Sequence, residues 1–165
     1  MKKSSLNPLL IFAFILTLYS CRGNNTKQPT DTTFNSTPQE TSNTLTLEAN
    51  DEMQYSTTEM RATAGKPITL TFKHTGKMDK NTMGHDFVLL KKGADPDAFA
   101  HEALDAKDND YIPKSQFSNI IAHTKLIGGG ESDTITFTVP EKGTYDYVCS
   151  FPGHSALMKG KMIVE

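Results

Sequence analysis

Three side chains that bind soft metals fall within ten residues near the end of the chain: Cys149, His154 and Met158, in the run Cys149-Ser150-Phe151-Pro152-Gly153-His154-Ser155-Ala156-Leu157-Met158. The imidazole follows the thiol by five residues, and the thioether follows the imidazole by four. Pro152-Gly153 turns the chain between them, so the loop can carry all three toward one point. A second imidazole, His85, follows Met83-Gly84 and precedes the apolar run Phe87-Val88-Leu89-Leu90, at the edge of an expected strand. Thiolate is a soft donor that suits Cu(I), and imidazole suits Cu(II) as well. A trigonal set of two His and one Cys with a weak axial Met points to one copper ion that alternates between Cu(I) and Cu(II). Both oxidation states tolerate that geometry, which favours fast gain and loss of an electron.

Other chemistries fit the same residues less completely. Cys149 can be read as a buried structural thiol and Met158 as core filler, the commoner role of each. Cys149 as a nucleophile with His154 as its base is a known pairing, but it leaves His85 and Met158 without a task. A structural zinc site lacks a C-x-x-C pair, and thioether is a poor zinc ligand. A copper storage or delivery protein would favour exposed, exchangeable Met and His, whereas the compact Cys149 loop favours retention. The donors of the copper reading fill the metal's positions and leave none open, so an enzyme is not expected.

The elements that must position these residues read as strands. Leu45, Leu47 and Ala49 alternate with Thr46 and Glu48. Ile68, Leu70 and Phe72 alternate with Thr69, Thr71 and Lys73. Ile135, Phe137 and Val139 alternate with threonines, and Tyr145, Tyr147 and Cys149 alternate with Asp146 and Val148. Period two marks strands with one buried face. Phe87 to Leu90 and Lys161 to Val164 are further short strands. Turn residues at Ala64-Gly65-Lys66-Pro67, Gly128-Gly129-Gly130 and Glu141-Lys142-Gly143 separate them. Asp95-Pro96 is an N-cap and first-turn pair, so a short helix over 95–106 with Phe99, Ala103 and Leu104 on one face is expected between strands. Several closely spaced strands predict an all-β sandwich or barrel.

The first 44 residues read differently. Lys2 and Lys3 precede an apolar stretch, Leu9 to Leu18, too short to span a bilayer as a helix. Residues 1–20 are expected to be a secretory signal. Leu18-Tyr19-Ser20-Cys21 resembles a bacterial lipobox, which implies cleavage before Cys21 and its lipidation. Several acyl chains on Cys21 would anchor the protein to a membrane, as one chain alone does not. Residues 22–44 are nearly all Asn, Thr, Ser, Gln and Pro and read as a flexible tether. Arg22 and Gly23 follow the cysteine without an Asp, which favours the outer membrane of a Gram-negative bacterium, facing the periplasm. The whole chain carries a net charge of −2; without Lys2 and Lys3, 15 basic residues face 19 acidic ones. No basic block is present, so nucleic-acid binding is not expected.

Over residues 45–165 the chain resembles the azurins, small blue-copper proteins of the cupredoxin family. The resemblance is carried by Asn50-Asp51-Glu52-Met53-Gln54, Met83-Gly84-His85, Ile121-Ala122-His123-Thr124-Lys125-Leu126-Ile127-Gly128 and the Cys149–Gly160 segment. It implies a cupredoxin-like eight-stranded Greek-key β-barrel or sandwich. It implies that His85, Cys149 and His154 are equatorial copper ligands, with Met158 and the Gly84 carbonyl as weak axial contacts. It implies an apolar docking patch of Met53, Met78, Met83, Phe151, Pro152, Ala156 and Leu157 around the exposed edge of His154. Its implied partners are redox proteins such as c-type cytochromes or copper/haem reductases. His74 matches a family histidine near the copper that can titrate, and His123 a surface one. Three departures stand out. The family disulfide is missing, with Asn43 and Gly65 at its two positions, and Phe87 replaces a tryptophan. Asp86 stands where the family has Asn; it can still accept hydrogen bonds from Ser150 and would place a negative charge beside the copper.

Overall fold

The computed structural model describes residues 41–165. The signal segment, Cys21 and nearly all of the tether lie outside the described residues.

Among the described residues, eight strands form two sheets. The smaller has the order β1 (Thr44–Ala49), β3 (Pro67–His74), β6 (Ser132–Thr138). The larger has the order β2 (Glu59–Ala62), β8 (Lys159–Val164), β7 (Gly143–Val148), β4 (Val88–Leu90), β5 (Ile120–His123). β1 pairs with β3 in parallel, as β2 does with β8; the other pairs are antiparallel. The all-β, cupredoxin-like architecture expected from the sequence is present.

Alternation explains which face each strand buries. Ile68, Leu70 and Phe72 of β3 are completely buried, and so are Leu47 of β1 and Tyr147 of β7. These side chains, with Phe87, Leu89, Cys149 and Met158, fill the space between the sheets. Thr69 and Thr71 face outward and meet Thr136 and Thr134 across the ladder at 3.3 and 3.2 Å.

The long connection from β4 to β5 contains helix α2 (Pro96–Ala103). Asp95 caps it, its carboxylate accepting from the N–H groups of Asp97 and Ala98, and Pro96 supplies the first turn. Phe99 and Ala103 are buried, but Leu104 is 49% exposed and does not share their face. Leu104, the C-cap, keeps helical dihedrals but follows Phe99 by five residues, which at 3.6 residues per turn sets it well round the helix from the buried face. α2 covers the outer face of the larger sheet, where Phe99 and Ile112 pack on Val88, Leu90 and Val148. Val148 is therefore buried although its neighbours Tyr147 and Cys149 point to the other side. A one-turn helix, α1 (Lys80–Met83), precedes Gly84 and His85, and His85 makes an isolated bridge to Ile127 ahead of β4.

Asn43 acts as a polar clamp. Its Oδ1 accepts from the Thr63 N–H at 2.9 Å, and its Nδ2 donates to the Pro67 carbonyl at 3.1 Å. The start of β1 is thus tied to the β2–β3 turn without a disulfide.

Candidate metal centre

His85 Nδ1, His154 Nδ1 and Cys149 Sγ converge in the interior at one end of the sandwich. The two nitrogens are 3.1 Å apart, and the sulfur lies 4.0 Å from His85 and 3.8 Å from His154. All three residues are buried. The point equidistant from the three atoms in their plane is about 2.1 Å from each, the length of a protein metal–nitrogen bond and close to the ~2.3 Å of a metal–sulfur bond. The donor set therefore fits one metal ion of copper size.

Each donor is supplied by an element that fixes it. Cys149 follows β7, and its N–H donates to the Met158 carbonyl at 3.0 Å, closing the loop at its base. His154 N–H donates to Phe151, and Leu157 and Met158 N–H both donate to His154. Gly153 lets the loop reverse: its φ is 82°, a left-handed conformation that other residues adopt at a cost. His85 is held by a reciprocal backbone pair with Ile127, 3.0 and 2.9 Å. Gly84 precedes it under steric constraint, since a Cβ there would sit 2.5 Å from the Lys80 carbonyl.

The surroundings settle the proton positions. His85 Nε2 lies 2.8 Å from the Asn50 carbonyl, which can only accept. The ring proton therefore sits on Nε2, and Nδ1 presents a lone pair inward. Burial lowers the pKa of both His85 and His154 to about 4, so both are neutral at pH 7. Burial, then the Asp86 carboxylate, raises the Cys149 thiol well above its ordinary value, against N–H groups of Asp86 and Phe151 that favour the thiolate. Without a cation the site is neutral. A cation at its centre would meet the His85 Nδ1 lone pair, take the Nδ1 lone pair of His154 in its Nε2–H tautomer, and displace the thiol proton.

Asp86 bridges the two donor segments. Its carboxylate accepts from the Ser150 N–H at 2.7 Å and the Ser150 hydroxyl at 2.5 Å, while the Tyr55 hydroxyl donates to its backbone carbonyl at 2.5 Å. Burial pushes the Asp86 pKa up to about 6, against the lowering effect of the Ser150 donors. His74 stacks on His85 with centroids 4.5 Å apart. Its Nδ1 accepts from the Gly76 N–H and its Nε2 donates to the Met83 carbonyl, so both ring nitrogens are used in the neutral form.

Met158 is completely buried in the same cluster as Cys149. Among the apolar residues expected around the site, Leu157 is 63% and Met78 37% exposed. Ala156 is exposed too, while Met53, Met83, Phe151 and Pro152 are half-buried. His101 and His123 are exposed. The sequence reading missed the Asn50 carbonyl, the Tyr55 hydroxyl and Thr124, whose hydroxyl accepts from the Phe87 N–H at 3.0 Å. A backbone carbonyl leaves no mark in a sequence. Tyr55 looked like one more aromatic residue.

Two imidazoles and a thiol, clustered at one end of a two-sheet sandwich with a buried thioether in the same core, define a mononuclear soft-metal protein. Comparison with known proteins makes this specific. The family described as copper binding proteins, plastocyanin/azurin family, matches residues 27–165. Azurin-2 of Alcaligenes xylosoxydans xylosoxydans is 47% identical over 122 residues, covering 71% of this chain and 93% of that one. Outer membrane protein H.8 of Neisseria gonorrhoeae is 44% identical over 121 residues; the match covers 71% of this chain and 64% of the length of that relative. The crystal structure of reduced auracyanin from Roseiflexus castenholzii matches with a TM-score of 0.68 and 38% identity, covering 76% of this chain and 99% of that one. The chain belongs to the plastocyanin/azurin family of copper-binding proteins. Its cofactor is a single type 1 copper ion.

Proposed function

We propose that this protein is a one-electron carrier of the bacterial envelope, tethered to a membrane through a lipidated Cys21. His85, Cys149 and His154 would hold the copper ion, with Met158 and the Gly84 carbonyl as weaker contacts. The observation that carries this reading is the triangle of Nδ1, Nδ1 and Sγ, sized for one ion and locked from outside by Asn50 and Ser150–Asp86. Copper held there supplies a couple that gains or loses one electron. The chain's own residues keep its position fixed while that happens: the Asn50 carbonyl fixes the His85 tautomer, and the loop bonds fix Cys149 and His154. A rigid donor set lowers the rearrangement that accompanies each transfer. The donors fill the positions around the ion, which supports a carrier over an enzyme. His85, Cys149 and Met158 are completely buried, which supports retention of copper over storage or delivery.

Electrons leave at His154; Ala156 and Leu157, close to it in the chain, and Met78 are exposed apolar side chains of the expected docking patch. Exposed apolar side chains of this kind suit transient docking of a redox partner, such as a c-type cytochrome or a copper or haem reductase. The tether and lipid place this head in the periplasm, on the outer membrane. The similarity to a protein named for the outer membrane supports that location. Two experiments test the reading. Stopped-flow mixing of the copper-loaded protein with a reduced c-type cytochrome should show rapid one-electron oxidation of the cytochrome; no exchange would refute the carrier role. Mass spectrometry of the mature amino terminus should show acylated Cys21, and an unmodified Cys21 would remove the anchor.

A further inference from the structure

The inserted segment between β4 and β5 reaches the metal end of the sandwich at a strained turn. Asp110 (φ 49°) and Tyr111 (φ 61°) are successive non-glycine residues in the left-handed conformation. Side chains enter this region at a steric cost, and two in a row persist only where neighbours hold them. Here the Tyr111 N–H donates to the Ala106 carbonyl at 3.0 Å and the Ile112 N–H to the Asn109 carbonyl at 2.9 Å. Asn109 Nδ2 donates to the Ile112 carbonyl at 2.7 Å, and Lys80 Nζ lies 3.4 Å from the Asp110 carboxylate. Ile112, the next residue, is anchored in the core beneath α2.

The turn aims one ring. Tyr111 meets Phe151 edge-on, with centroids 5.2 Å apart and planes at 66°. Phe151 in turn lies against His154, centroids 4.6 Å apart and planes at 38°. The two imidazoles of the site differ in what orients them. His85 Nε2 donates to the Asn50 carbonyl. His154 Nε2 has no hydrogen-bond partner among the described residues. Outside the donor cluster, then, the His154 ring is oriented by packing, and Phe151 is the ring packed on it from the side of the insertion.

We propose that Tyr111 is a positioning residue for the metal centre: its ring holds Phe151 against His154 and so fixes the imidazole toward Cys149 and His85. This rests on the reading that those three residues are the ligands. The ring does the work. The Tyr111 hydroxyl makes no hydrogen bond among the described residues, so phenylalanine should serve as well.

The test uses the full chain as wild type, Tyr111→Ala, Tyr111→Phe, Phe151→Leu and the double variant Tyr111→Ala/Phe151→Leu. In the metal-free proteins, NMR should show the His154 ring protons shifted and broadened in Tyr111→Ala and unchanged in Tyr111→Phe. In the copper-loaded proteins, Tyr111→Ala should shift the visible absorption band and lose copper to a chelator about twofold to tenfold faster, the factor one aromatic pair is worth. In the Phe151→Leu background, Tyr111→Ala should add nothing. If Tyr111→Ala does not fold, Tyr111→Leu, which keeps apolar bulk without an aromatic edge, takes its place with the same expected results. A blue wild type with Tyr111→Ala identical to it overturns this proposal alone, as does additivity with Phe151→Leu or equal damage from Tyr111→Phe. A colourless copper-treated wild type overturns the ligand reading and this proposal with it.

Discussion

Asp86 and Cys149 are the two buried groups whose charge the metal centre must manage. Asp86 sits between His85 and Phe87 and accepts two hydrogen bonds from Ser150. With its pKa raised to about 6 by burial, it is charged above that pH and neutral below it. A negative charge beside the ion favours Cu(II) and lowers the reduction potential. Voltammetry should therefore show the potential falling as pH rises through the Asp86 pKa, which a bound cation lowers from its metal-free value of about 6. Asp86→Asn should lie higher above that pH and lack the step; an unchanged or lower potential in the variant would refute the role. Metal uptake gives a second prediction. His85 and His154, with pKa values of about 4, have no proton to lose at pH 7, and the Cys149 thiol has one. Copper binding at pH 7 should release about one proton, measured by calorimetry in buffers of different ionisation enthalpy. Release of none would mean that Cys149 is already a thiolate. Much of this site could be read from the residues, because Cys149, His154 and Met158 share one loop and His85 has its own motif. What could not be read are the groups that orient the donors. Asn50 contributes a carbonyl, and Tyr55 reaches Asp86 from 31 positions away in the chain.

The elements show where local pattern suffices and where tertiary context decides. β1, β3, β6 and β7 follow from alternation, since one face of each meets the core and the other meets solvent or a threonine ladder. β2 and β5 escaped that reading. β2 has four residues, too few to display a period, and Ile120-Ile121-Ala122-His123 of β5 does not alternate. Val148 contradicts simple alternation because α2 covers the face it would otherwise expose. Leu104 fell off the predicted apolar face because five residues of helix separate it from Phe99, well round from the stripe that Phe99 and Ala103 share. The missing disulfide has its counterpart in Asn43, whose side-chain amide ties β1 to the β2–β3 turn. A native disulfide contributes about 2–4 kcal/mol, and a half-exposed hydrogen-bonded side chain about 1 kcal/mol. Asn43→Ala should lower the urea midpoint by the equivalent of about 1 kcal/mol and leave the metal centre's spectrum unaltered. An unchanged midpoint would show that the clamp contributes nothing.

At the scale of the whole molecule, the donor cluster lies at one end of the sandwich, and the proposed docking rim consists of the exposed Met78, Ala156 and Leu157 with half-buried Met53, Met83, Phe151 and Pro152. Docking through that rim requires no charge pairing, so a charge placed on it should disturb encounter without touching the ion. Met83→Lys should slow electron exchange with a partner or with a second copy and leave the absorption spectrum as in the wild type. Unchanged exchange rates would argue against this face. Proposed anchoring through Cys21 and the polar residues after it would let the rim sample partners close to a membrane. All of this depends on the ion that His85, Cys149 and His154 are built to hold. The most direct test is the visible absorption spectrum of the Cu(II)-loaded protein beside that of Cys149→Ser. An intense thiolate-to-copper band at about 600 nm in the wild type, abolished in the variant, is the expected result. A colourless wild type, or a blue Cys149→Ser protein, would contradict the account.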